Sequence, residues 1–461
     1  MTGSVTIPVW LFVLILLFAA VTFASHFLFP SVRWFFRRRL ERAVKRLNEN
    51  LQRPIEPFKL ARRHDMIQRL SYDPDVMAAV VEHARKEGVP EAVAFEQAKR
   101  YAREIVPSFS AFVYFGLAIR LARFIGTSLY RVRVAHIDED AMQAVDPEAA
   151  VVFVMNHRSN VDYVLVTYMA AERSALAYAV GEWARIWPLS RLIRAMGAYF
   201  IRRKIRNELY RRVLASYVRL ATQAGVTQAM FPEGGLSLNG GLAPPKLGLL
   251  KYIRDAYTPE GRDVVFVPVA LNYDRVLEDQ ILISAAQKGE RRFKARISTV
   301  MKYWGRMLWR RLRGRYHKFG YAAVSFGTPL SLRQYMSNNP GAKTHNLANA
   351  LMDRVSTLVP ILPVPFVAWM VLQRGQVSRA ELEASLDGAR DHLHDVTLRL
   401  ARNDVAYTVE YGLRNLLQRK MLVETETGYA AAPGKDDTLR FYANSIDHLM
   451  TEHGHLFCGC E

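Results

Sequence analysis

Hydrophobic positions change texture several times along the chain. Residues 7–28 form an apolar run whose one ionisable side chain is His26. At about 1.5 Å of rise per residue, such a run is long enough to cross the hydrocarbon core of a bilayer. Between residues 40 and 130 apolar side chains recur at spacings of three and four, as in 75–86 and 90–105, which predicts amphipathic helices. Gly88 and Pro90 separate these two, the glycine as a C-terminal stop and the proline as a first-turn residue. From Tyr130 short apolar runs alternate with longer amphipathic stretches, and residues 150–155, 177–180, 198–201, 227–231, 264–269 and 322–326 read as buried strands. Most are separated by about 20 residues or more, the rhythm of strand–helix–strand units around a mostly parallel sheet.

The organisation expected from these patterns is a transmembrane anchor at 5–29 and a helical N-terminal domain at 40–130. An α/β domain at 131–335 follows, a mostly parallel sheet with flanking helices, and then a helical C-terminal region at 340–461. The apolar stretch 358–372 contains Pro360, Pro363 and Pro365 and is short for a span, so it predicts a buried or interfacial turn.

Half of the 461 residues are hydrophobic, which excludes a disordered chain. Lys and Arg number 63 against 43 Asp and Glu, a formal charge of +20 that suits either nucleic acid or an anionic lipid surface. The N-terminus favours lipid. Arg33, Arg37, Arg38, Arg39, Arg42, Lys45 and Arg46 follow the apolar run, and only the terminal amine precedes it. The positive-inside tendency then puts the bulk of the chain on the cytoplasmic face of the cell membrane. Over 291–318, Ile297, Met301, Trp304, Leu308 and Leu312 recur at helical spacing among cations, predicting a helix that lies in anionic headgroups. Nothing resembles a base-reading module, so no nucleic-acid partner is expected. Cys458 and Cys460 at the extreme end rule out a disulfide scaffold. With His453 and His455 they are too crowded for a folded zinc module, and no metal is expected.

The chemistry-bearing segments lie at strand ends. After the strand ending at Met155 comes Asn156-His157-Arg158-Ser159-Asn160-Val161-Asp162-Tyr163. A histidine there sits where ligands bind in α/β sheets, and a carboxylate five residues on can turn back to one ring nitrogen, leaving the other as a base. Residues 197–204 end a buried run in Arg202, Arg203 and Lys204, a seat for phosphate. Residues 231–237 end another in a glycine turn whose N–H groups can face an anion. Val267-Pro268-Val269 closes a further strand.

In this order the segments resemble the glycerol-3-phosphate acyltransferase family, the membrane-bound bacterial HxxxxD type. The matching blocks are 157–162 with Tyr163, 197–203, 231–235 with Ser237, and Val267 with Pro268; Pro245-Lys246, 71–129 and 441–446 are similar too. The resemblance implies transfer of a fatty acyl group from acyl-CoA or acyl carrier protein to the hydroxyl of glycerol-3-phosphate, without a cofactor. It implies His157 as general base and Asp162 as its orienting partner. Arg202 and Lys246 become candidates for the acceptor phosphate, Glu233 and Gly234 with Ser237 shape the acceptor site, and Pro268 borders a pocket. A thioester is already activated, so a base and an oxyanion donor suffice chemically. One departure stands out. Leu236 and Leu238 occupy positions where the family usually carries arginine, and Gly241 stands where another cation is common. Losing two bidentate phosphate donors leaves lysophosphatidate or another alcohol open as acceptor, and a membrane lipid-binding protein without catalysis as the non-enzymatic alternative.

Overall fold

The computed structural model describes residues 7–169, 175–181, 189–202, 207–289, 318–390 and 403–452. Outside these lie Arg203, Lys204, the tail from 453, and all of the cationic segment 291–318 except Lys318. The chain divides into two compact units. The first, reaching to Ile55, is dominated by the 42-residue helix α1 (Val9–Asn50). The apolar side chains of Val9–Thr22 are exposed along it.

The second unit begins with α2 (Pro57–Leu60), α3 (Arg63–Ser71), α4 (Pro74–Glu87) and α5 (Glu91–Ile105). The two helices read from the apolar spacing are α4 and α5. Asp73 caps α4 by accepting from the Asp75 N–H at 3.2 Å, Pro74 occupies the first turn, and Gly88 ends the helix at φ +66°, where a side chain would be strained. A π-helical segment, Phe112–Ala118, then runs into α6 (Ile119–Leu129).

The sheet region follows as β1 (Arg131–Ile137), α7 (Glu139–Gln143), β2 (Ala150–Met155), α8 (Asp162–Met169), β3 (Ala177–Val180), α9 (Leu189–Ala195) and β4 (Tyr199–Phe200). It continues through α10 (Glu208–Gln223), β5 (Gln228–Met230), α11 (Leu247–Asp255), β6 (Val264–Tyr273), α12 (Asp279–Gln287), β7 (Tyr321–Phe326) and β8 (Leu330–Ser331). Across the sheet the order is β1-β7-β6-β2-β5-β3-β4, with β8 also paired to β6. Pairing is parallel except where β6 meets β7 and β8. Every residue of β2 and β6 is buried, as continuous apolar runs require in a sheet covered on both faces. The six strands expected from sequence are all present. β1 was not expected, because Arg131, Arg133 and His136 interrupt its apolar positions and it lies at the sheet edge.

One hydrophobic core joins α3–α5, both faces of the sheet and the later helices Thr344–Thr357, Pro363–Arg374 and Asp436–Ala443. Beside it lies a small antiparallel sheet of β9 (Gln376–Val377), β10 (Leu422–Thr425) and β11 (Gly428–Ala431). The stretch 358–372 is buried as expected but is mostly helix rather than turn. Pro363 and Pro365 sit in the first turn, where the missing N–H groups are not needed, and the Val364 N–H is taken by Asp274 Oδ1 at 2.9 Å.

Candidate active site

Parallel pairing brings the C-terminal ends of β2, β5 and β6 to one edge, with Val154 in register with both Met230 and Pro268. Where the β2 backbone leaves the sheet, Asn156 continues the ladder with its side chain. Its Nδ2 donates to Leu271 O at 3.0 Å and its Oδ1 accepts from Leu271 N at 2.8 Å. That anchors the start of the next loop. His157 is only 2% exposed, and its Nδ1 lies 2.8 Å from Asp162 Oδ2. The same oxygen accepts the backbone N–H groups of Arg158 at 2.7 Å and Ser159 at 3.0 Å, while Tyr273 donates its hydroxyl to Oδ1. With the carboxylate acting as acceptor throughout, Nδ1 carries the proton and the Nε2 lone pair is left for a substrate. The imidazole stacks on Phe231 at 4.0 Å between centroids and meets the edge of Tyr163 at 5.6 Å, so its plane is fixed from two sides.

The loop after β5 locks onto this arrangement. Glu233 Oε1 accepts the His157 N–H at 2.8 Å, and Oε2 accepts the Ala243 N–H at 2.9 Å. Its two oxygens therefore bind the backbones of two loops. Burial pushes its carboxyl up to about 7, against the pull of those two N–H groups and of Arg158, with Asp162 adding to the rise. Gly234 turns at φ +66°, and a Cβ there would come within 2.7 Å of Lys246 Cδ, so the glycine lets the Lys246 stem lie across the turn. Ser237 N donates to His157 O at 2.9 Å and its Oγ to Gly241 O at 2.6 Å; Lys246 N reaches Pro232 O at 2.8 Å. His157, Asp162, Glu233, Gly234, Ser237 and Lys246 thus belong to one connected pair of loops.

Two expected site residues lie outside this pair of loops. Arg202 follows β4, three places from β2 in the sheet order, and its guanidinium grips Glu104 of α5 through Nε at 2.6 Å and also through Nη2. Pro268 is buried within β6, at the step where that strand's antiparallel partner changes from β7 to β8. A residue without an N–H fits there. Leu236 and Leu238 pack against the hydrophobic core.

Glu278, Arg158 and Asn272 join the site without a role expected from sequence, and they lead to the late segment 441–446. Glu278 clamps the loop after β2, taking the Ser159 hydroxyl at 2.8 Å and the Asn160 side-chain amide at 3.0 Å. Arg158 is buried, donates to Asn272 Oδ1 at 3.3 Å, leaves its Nε without a partner, and is pushed down to about 10 by burial. Asn272 in turn donates to Pro360 O at 2.8 Å and Ser445 Oγ at 3.2 Å. Asn444 donates to Asn239 O at 2.9 Å, and a Cβ on Gly240 would fall 1.7 Å from Phe441 O. The late segment 441–446 is therefore packed directly on the loop that follows the glycine turn.

The chain is similar to several known proteins. A family model described as acyltransferase matches residues 134–272, and one described as the glycerol-3-phosphate acyltransferase C-terminal region matches 307–459. Relatives named glycerol-3-phosphate acyltransferase include one from Pseudomonas putida (strain GB-1), 27% identical over 75% of this chain and 43% of its own length. Another, from Aeromonas hydrophila, is 29% identical over 73% of this chain and 43% of its own length. The chain spans less than half the length of these relatives. A solved 1-acyl-sn-glycerophosphate acyltransferase from Thermotoga maritima is 16% identical, with a TM-score of 0.34 over 56% of this chain and 79% of its own. The two matched regions lie in succession, the first holding the His157 and Glu233 loops and the second the segment packed on the loop after the glycine turn, so the chain is similar to glycerol-3-phosphate acyltransferases over both.

Proposed function

We propose that the protein transfers a fatty acyl group from a thioester, carried by coenzyme A or acyl carrier protein, to the hydroxyl of glycerol-3-phosphate, the first step of phospholipid synthesis. The observation that carries this reading is the buried His157–Asp162 pair, whose carboxylate is held by two backbone N–H groups and the Tyr273 hydroxyl. His157 Nε2 removes the proton from the acceptor hydroxyl as its oxygen attacks the thioester carbonyl. The tetrahedral adduct collapses by breaking the carbon–sulfur bond, and the proton passes from His157 to the departing thiolate. Asp162 supports the transient imidazolium. Glu233 acts through the backbone, holding His157 against the neighbouring loop.

The acceptor phosphate is assigned to Lys246 and Arg202, the latter in competition with Glu104. A second acceptor, lysophosphatidate, is favoured by Leu236 and Leu238, which put apolar surface where phosphate donors are usual in the family. The apolar, exposed residues Val9–Thr22 support a membrane anchor, and the cations from Arg33 to Arg46 that follow favour the cytoplasmic face for the catalytic unit. The test is incubation of the membrane-reconstituted full chain with a labelled acyl thioester and, separately, glycerol-3-phosphate, lysophosphatidate and glycerol. Labelled product with glycerol-3-phosphate supports the first reading. Product with lysophosphatidate alone replaces it with the second, and thioester left intact with every acceptor overturns acyl transfer.

A further inference from the structure

The segment Phe112–Leu129 is one continuous apolar helix, made of the π-helical segment and α6, and only a third of its residues are buried. Its inner stripe is Tyr114, Ala118, Ala122, Gly126 and Leu129, at spacings of three and four. This stripe packs the helix on the protein, and a Cβ added at Gly126 would lie 3.2 Å from Leu165 Cδ2 of α8, the helix that opens with Asp162. The outer face is also apolar. Phe112 is 78% exposed, Leu117 52%, Leu121 39% and Phe124 52%. A surface helix that turns large apolar side chains outward as well as inward has a second contact to make.

The charge around it states the kind of contact. Arg120 and Arg123 are exposed among those apolar residues, and no Asp or Glu occurs anywhere in 105–137. Arginines in mid-helix and a buried inner stripe do not suit a helix that crosses a bilayer. An apolar outer face whose own charged residues are all cations suits one lying in the plane of anionic headgroups.

We infer that the outer face of Phe112–Leu129 is a docking surface for an anionic lipid bilayer. It is separate from α1 and does not depend on the acyl-transfer reading. Because the inner face of the same helix rests on α8, docking sets the loop carrying His157 and Asp162 at a fixed position relative to the lipid surface. A lipid-soluble acyl chain then enters and leaves the site without crossing bulk water.

The test uses the full chain with Cys458→Ser and Cys460→Ser and a single new cysteine, Leu117→Cys, labelled with an environment-sensitive fluorophore. A second protein carries the label at Val423→Cys, an exposed position on the small sheet. Both are bound to vesicles of phosphatidylcholine with phosphatidylglycerol, and vesicle binding is confirmed by flotation. The label at 117 should shift to the blue, lose quenching by aqueous iodide and gain quenching by a lipid-borne nitroxide. The label at 423 should do none of these. Adding Arg120→Glu and Arg123→Glu should return iodide quenching at 117 while the protein still floats. The proposal is overturned if 117 stays open to iodide on vesicle-bound protein, or is shielded before vesicles are added, which would mean a protein partner or a second copy. Equal shielding on pure phosphatidylcholine overturns the anionic preference. None of these readouts needs turnover, so a failure here and a failure of acyl transfer are told apart.

Discussion

The loops that follow β2 and β4 both end strands of the same sheet and both carry basic side chains, yet they are built oppositely. After β2, the groups that satisfy one another lie mostly within five residues: His157, Arg158 and Ser159 all turn to Asp162. After β4, Arg202 is satisfied by Glu104, 98 residues earlier in the chain. The first loop spends its carboxylate on orienting the His157 imidazole, whose other ring nitrogen is the base of the proposed reaction. The second has its cation already matched, so any phosphate arriving there must displace a bidentate ion pair. Catalytic potential therefore follows from which polar atoms remain unused after folding, and the presence of a reactive residue type at a strand end does not decide it.

The largest effect expected is at the first loop. His157→Ala should lower acyl transfer by about 10² to 10⁴, with the folded protein retained, since that is the usual contribution of a general base. Asp162→Asn should approach it, because an amide cannot support imidazolium and must present an N–H to one of the donors now facing the carboxylate. Thioester consumption by the purified variants measures both, and full turnover by His157→Ala ends the proposed mechanism. A smaller loss is expected for Tyr273→Phe. It removes one hydroxyl donor from Asp162 but leaves the two backbone N–H groups, so kcat should fall by roughly tenfold, below the ceiling of about 1.5–3 kcal/mol for a hydrogen bond to a charged group. KM for the acceptor should hardly change. A rise in KM with unchanged kcat would show that the tyrosine serves the substrate and not the pair.

The same contrast explains what was legible in the sequence. The His157–Asp162 spacing and the apolar runs that became β2, β3 and β6 are local signals, and each could be read from fewer than about a dozen neighbours. Tyr273 reaches Asp162 across 111 residues and Glu233 reaches His157 across 76, so neither contact had a local signature. The family resemblance implies that Glu233 shapes the acceptor site; its oxygens close on backbone N–H groups, which only the assembled sheet edge brings near. β1 carries no such signal, because an edge strand needs no continuous apolar run. Pro363 and Pro365 argued against a helix, yet a first turn tolerates both, and the buried Asp274 that receives the Val364 N–H lies 90 residues away.

Glu233 also gives the first loop a pH signature. Its folded-state carboxyl is raised from 4.5 to about 7, chiefly by burial. The folded protein therefore holds a proton that the unfolded chain releases, and the stabilisation is present below about 4.5 and is lost as pH rises through about 7. Asp274, raised from 3.8 to about 7 by burial, acts in the same direction. Unfolding free energy from denaturant titration should decline between pH 5 and pH 8 by this route, and Glu233→Gln should make the decline shallower while leaving the share due to Asp274. An unchanged slope in Glu233→Gln would mean that the carboxyl ionises normally in the fold.

The smallest effect, and the one that best separates the two loops, concerns the Arg202–Glu104 pair. If Arg202 receives the acceptor phosphate, then Glu104 competes with substrate for the guanidinium. Arg202→Ala should then raise KM for glycerol-3-phosphate by a few-fold, short of the full value of a hydrogen bond to a charged group, about 1.5–3 kcal/mol, because the ion pair is given up on binding. Glu104→Gln should move KM the other way, since it frees the guanidinium without removing it. A purely structural pair gives a different pattern: both substitutions leave KM alone, both lower stability, and the double variant is no worse than either single one. At partial exposure, with the arginine side chain 32% accessible, that coupling should be no more than about 1 kcal/mol. Opposite shifts in KM keep the loop after β4 in the acceptor site, whereas coupled stability losses with constant KM leave Lys246 as the phosphate ligand and confine the chemistry to the loops after β2 and β5.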